Sequence, residues 1–216
     1  MRDDALRVLS RVVVALAVLA LLPACGIKRV PGNILERLPY EAKIELLEAE
    51  NDLALAVDRL DEVHAEVARA RDQIRRAKDR RKAAESEVGE AADQTSRDVA
   101  ELAVHEAEVR VDWLRAKQHL NVKEEDMAEQ NLTCAYARFE QSKLAAARKA
   151  KLEGSESLEP AVFEAQVKDC DAEYAALKEK LKESNTEAEQ VRAEWDKARA
   201  ALARKTFDAR ASPFVE

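Results

Sequence analysis

The order of apolar and polar positions divides the chain into three regimes. The first is an unbroken apolar run, Val12 to Leu22, V-V-V-A-L-A-V-L-A-L-L. At about 11 residues it would span only about 16 Å as a helix, well short of a hydrocarbon core of about 30 Å, so it predicts the apolar part of a secretory signal over residues 1–24. The second regime, residues 25–39, holds two of the five prolines and two of the four glycines. It predicts a flexible tether reaching at most about 45 Å. From Tyr40 the pattern becomes a seven-residue repeat. Leu46, Leu53, Leu60, Val67, Ile74 and Val88 form one edge, with Arg81 at the missing step, and Ala49, Ala56, Val63, Ala70, Ala77, Ala84 and Ala91 follow three positions later. Large residues on one edge and mostly alanine on the other predict a helix with a narrow seam that lets a partner helix approach closely.

Two interruptions punctuate this repeat. Gly89 and the stretch A-A-D-Q-T-S-R-D, with a Thr95-x-x-Asp98 capping pattern, predict a break near 89–96. The alternative is one helix running through, since a single glycine costs only about 1 kcal/mol. The next repeat is looser: Val99, Leu102, Val109, Trp113, Ala116, Leu120, Met127 and Cys134, then Phe139 and Leu144. Its polar middle, Lys123 to Asp126 with Gln130 and Asn131, predicts a kink or a solvated interval. At 153–157 Gly154 can take a left-handed conformation, Ser157 can cap a helix and Pro160 fits a first turn. Phe163, Val167, Cys170, Tyr174, Leu177, Leu181, Ser184, Ala188, Val191, Trp195, Ala198 and Leu202 then hold one register. The predicted fold is all-α, an elongated antiparallel coiled-coil hairpin or three-helix bundle over residues 40–206, with a C-terminal tail at 207–216.

Composition narrows the class further. With 37% charged residues, 4% aromatic residues and only four glycines, the chain lacks the turn-forming residues a compact α/β enzyme consumes. The net charge is −7. Both signs are interspersed, as on a solvated, salt-bridged helix surface, and nucleic acid is not an expected partner.

Arg2, Arg7 and Arg11 precede the apolar run, and Leu22-Pro23-Ala24-Cys25-Gly26 follows it. This segment resembles the signal and lipobox of bacterial lipoproteins: an aliphatic residue at minus three, a small one at minus one, then cysteine. Proline at minus two departs from the usual pattern. The resemblance implies cleavage before Cys25, diacylglycerol on its thiol and acylation of the new amine, with Leu22 and Ala24 as recognition residues. It also implies a palmitate-bearing, periplasm-facing protein of the cell envelope. Gly26 rather than aspartate after the cysteine favours the outer membrane over the inner. As an acylated helical rod the chain resembles the murein lipoprotein of enteric bacteria, but it ends Ser212-Pro213-Phe214-Val215-Glu216 rather than in a wall-linked lysine, so covalent wall attachment is not expected.

Catalytic chemistry is not predicted. His105-Glu106 begins like a zinc-protease helix motif, but Val109 stands where the second histidine is needed. His64, His105 and His119 read as exposed or seam-edge residues, and Trp113 and Trp195 as seam filling. No glycine-rich phosphate loop or nucleophile elbow occurs, so no metal, cofactor or small-molecule substrate is expected. Once Cys25 is lipidated, Cys134 and Cys170 remain as an even pair in a compartment where disulfides persist. A symmetric hairpin about the 153–157 turn would leave them about 7.5 Å out of register, whereas an asymmetric turn could join them. The expected function is a lipid-anchored tether, spacer or scaffold. The alternative is an accessory or chaperone-like subunit of an export, efflux or motility complex. Partners would be the membrane, through Cys25, and protein chains or further copies gripped by helix faces, for which Leu47, Val57, Val104 and Val111 are candidates.

Overall fold

The computed structural model describes residues 26–206, so the apolar run, Cys25 and the tail lie outside the described residues. Two short helices, α1 (Gly32–Leu35) and α2 (Tyr40–Glu45), precede three long ones: α3 (Leu47–Glu90), α4 (Gln94–Lys149) and α5 (Pro160–Thr206). The long helices have 44, 56 and 47 residues. At 1.5 Å per residue they extend about 65 to 85 Å, so the molecule is an elongated all-α rod. No described helix is long and apolar enough to cross a membrane.

Of the two alternatives at 89–96, the break is the one formed. Ala91 leaves helical geometry, and Asp93 caps α4 by accepting from the Ser96 backbone N–H at 2.7 Å and from its hydroxyl at 2.8 Å. The cap is therefore Asp93 rather than Thr95, because Asp93 is the residue left in extended backbone with an oxygen facing the first free N–H groups. Across the expected kink at 123–131, α4 continues without a break.

Successive long helices run antiparallel, as an all-α helical hairpin or bundle requires, with α4 as the central helix. Both α3 and α5 pack along α4, and neither packs along the other. Burial follows from this. The outer helices each bury one narrow line, Ala56, Val63, Val67, Ala70, Ile74, Ala77 and Ala84 on α3, and Phe163, Cys170, Ser184, Ala188, Trp195, Ala198 and Leu202 on α5. The central helix buries two. Val111 and Leu114 meet Ile74 and Ala77, and Ala100, Ala107, Asn121, Ala128 and Ala135 are buried at heptad spacing from Leu114. A second line, through Glu106, Cys134 and Leu144, meets α5.

Of the two alternatives for the connection between α4 and α5, the asymmetric turn is the one formed. Lys151, at φ 53°, is the left-handed residue that ends α4, with the Leu152 N–H returning to the Ala147 carbonyl at 3.0 Å. Gly154, at φ 91°, makes the next bend. Ser157 does not cap α5, since its hydroxyl donates to the Gly154 carbonyl and closes the single 3-10 turn over Ser155–Ser157. The Arg148 guanidinium donates to the carbonyls of Ser155 and Leu158, folding the loop back along the last turn of α4. In consequence Phe163 packs beside Leu144 and Ala147, so α4 overshoots the start of α5.

Candidate functional site: a docked end and a basic band

From Val30 onward the segment expected to be a flexible tether is packed against the rod. The Val30 N–H donates to Glu140 Oε2 at 2.7 Å, and Val30 and Ile34 are buried with Leu144, Ala147 and Phe163. The chain then passes the α4–α5 turn, where Ile34 Cδ1 lies 3.5 Å from the place a Gly154 Cβ would occupy. Leu38, Ala42 and Leu46 pack on Ala146 as the chain enters α3. Arg37 donates to the Glu153 carbonyl at 2.9 Å, and Lys149 pairs with Glu45 at 2.5 Å. The reason is in the spacing. Val30, Ile34, Leu38, Ala42 and Leu46 recur every four residues, giving an apolar stripe that continues into the α3 seam despite the prolines and glycine.

Two further features fix α5 to α4. Cys134 and Cys170 are joined, with S–S 2.00 Å and Cα atoms 5.4 Å apart, in the register that the asymmetric loop sets. Nearby, Gln130 Nε2 donates to Glu173 Oε2 at 2.9 Å, and Arg138 pairs with Asp171. About 35 Å along the rod, Trp113 and Trp195 stack with centroids 4.6 Å apart. Trp195 Nε1–H donates at 2.6 Å to Oε1 of Glu106, a carboxylate with no solvent exposure. Arg110, also buried, lies 5.5 Å from the Trp195 ring centre. Both tryptophans therefore fill the seam, and sequence reasoning missed Glu106 and Arg110 because charged residues in a heptad read as surface.

The four candidates for a second apolar face separate. Leu47 and Val57 are exposed, Val104 is half-buried, and Val111 is core because α4 is covered on two sides. His105 and His119 are exposed, and His64 Nε2 lies 3.3 Å from Glu125. Among the described residues, no group of three or more His, Cys, Asp or Glu side chains is placed to hold a metal ion.

The chain-wide charge average conceals a banded surface. Residues 45–66 carry eight acidic residues against Arg59 alone, a net of −7. They lie against the acidic interval of α4. There Glu124 has its pKa raised by burial and by the nearby Glu66, and Arg59 is held further above its ordinary value, first by its hydrogen bond to Glu62. Residues 69–82 reverse the sign: eight arginines and lysines against Asp72 and Asp79, a net of +6. Residues 83–90 return to −3 through Glu85, Glu87 and Glu90. In the basic band Arg75 pairs with Asp72 at 3.0 Å and Arg81 with Glu85 at 3.2 Å, both within α3. Arg69, Arg71, Arg76, Lys78 and Lys82 form no ion pair among the described residues. A shallow cleft of about 280 Å³ lies between this band and α4, lined by Arg71, Ile74, Arg75, Lys78, Lys82 and Arg115 among others. No protein-family model, curated protein or solved structure matches the chain.

Proposed function

We propose that the protein is a lipid-anchored rod of the bacterial cell envelope, periplasm-facing and non-enzymatic, that holds a binding surface at a set distance from the membrane bearing Cys25. The observation that supports this reading best is the docked segment at Val30 to Leu46. A pendant anchor on a flexible tether would let the rod swing, whereas here the chain is packed from Val30 onward. Only residues 26–29 separate Cys25 from the packed chain, a reach of about 17 Å. Two or three acyl chains on Cys25 would make attachment essentially permanent, since each buried methylene contributes about 0.8 kcal/mol. From the docked end the rod extends roughly 70 Å to the α3–α4 turn, far beyond the headgroups. The resemblance to bacterial lipoproteins, with Gly26 after the cysteine, favours the outer membrane.

The second reading, an accessory subunit of an envelope machine, is favoured by the basic band, which a plain spacer would not need. The two readings share the anchor and differ in whether the rod grips a partner chain. Metabolic labelling with palmitate tests the anchor: the native chain takes up label and stays with membranes, and Cys25→Ser loses both. Equal labelling of the variant would remove the basis of the proposal.

A further inference from the structure

We infer that the basic band at 69–82 is a docking site for a short acidic segment of a partner protein. Six of its eight cations are arginines, whose planar forks take carboxylates two bonds at a time. Five of the eight form no ion pair among the described residues, in a protein that has acidic residues to spare. Among the described residues, α4 is the one long helix that packs along α3, and the band's own stretch of α3 buries only a narrow line against it.

The length of the band selects the ligand. Fourteen helical residues cover about 21 Å, and the same helix turns to −7 on one side and −3 on the other. A duplex nucleic acid or an anionic bilayer, extending past both edges, would meet like charge there. A single small anion would find a cleft of about 280 Å³, too shallow to enclose it. An acidic peptide segment of about six extended residues, or about fourteen in a helix, matches the band and stops at its edges. A second copy would bring its own acidic stretch at 45–66 about 30 Å away along the axis. Parallel copies held at one height by their N-termini set basic against basic, so the segment belongs to a different chain. That last step rests on the proposed anchoring, while the peptide titration below does not depend on it.

The test is titration of fluorescent octaglutamate onto the full chain in a neutral detergent at low ionic strength. Arg71→Gln, Arg75→Gln, Lys78→Gln and Lys82→Gln together should weaken binding by about tenfold or more. An equal change in net charge on α5, Lys178→Gln, Lys180→Gln, Arg192→Gln and Lys197→Gln together, should change it less than about twofold. Circular dichroism checks that both variants remain helical. The inference is overturned by absence of saturable binding, by equal losses in the two variants, or by tighter binding of a single-stranded oligonucleotide or of anionic vesicles than of octaglutamate. Sedimentation of the protein alone supplies the last arm, and self-association that the band substitutions abolish would overturn the assignment to a different chain.

Discussion

At the residue scale, the covalent and polar links between α4 and α5 carry the sharpest expectations. The Cys134–Cys170 bond closes a sequence separation of 36, for which restriction of the unfolded chain contributes roughly 3–4 kcal/mol. Replacing both cysteines by alanine should lower the free energy of urea unfolding by about that much, and thiol labelling of the denatured, non-reduced native chain should find neither sulfur reactive. Glu106 is the second such link. Glu106→Ala leaves the Trp195 N–H without its acceptor beside the buried Arg110 charge, and should destabilise by about 3 kcal/mol, read in the same assay. Glu124 acts in the opposite direction. Burial, then Glu66, raises its pKa, so the folded chain binds a proton more readily than the unfolded chain. Its ionised form therefore opposes folding, and stability should fall as pH rises from the ordinary carboxylate value through the raised one. Thermal melts of Glu124→Gln should show a higher midpoint than the native protein at pH 7, with the gap closing as pH is lowered.

At the element scale, the positions of the helices were legible in the heptads, and their partners were not. The alanine edge of α3 marks its seam because small residues permit close approach, and Ala56, Ala70, Ala77 and Ala84 are buried there. The alanine seam of α4, beside the line that meets α5, was hidden for the same reason: Ala100, Ala107, Ala128 and Ala135 look like neutral helix formers until they are found buried. The docking of 26–39 was obscured by Pro31, Gly32 and Pro39, which signal a linker, although the four-residue spacing from Val30 to Leu46 was present. The basic band was visible as a run but was averaged away by the net charge. Ile34 ties these elements together, with 4% of its surface exposed among Val30, Leu144, Ala147 and Phe163. Ile34→Ala should cost about 2–4 kcal/mol locally, and amide exchange over 30–46 should accelerate far more than exchange over the centre of α4.

At the scale of the whole molecule, residues 26–206 form a narrow rod with the docked segment at one end, an acidic region next to it and a basic band about 35 to 55 Å from Leu46. Small-angle scattering should give a radius of gyration of about 25 Å for a rod of this length, against about 17 Å for a compact domain of similar size. Shape alone does not test the anchor on which the proposed function rests. Intact mass measurement of the protein extracted from its own cell membranes does so most directly. With the proposed anchor, the chain begins at Cys25 and its mass exceeds that of residues 25–216 by a diacylglyceryl group, with or without a third acyl chain. A chain retaining residues 1–24, or one cleaved elsewhere and carrying no lipid, would contradict it.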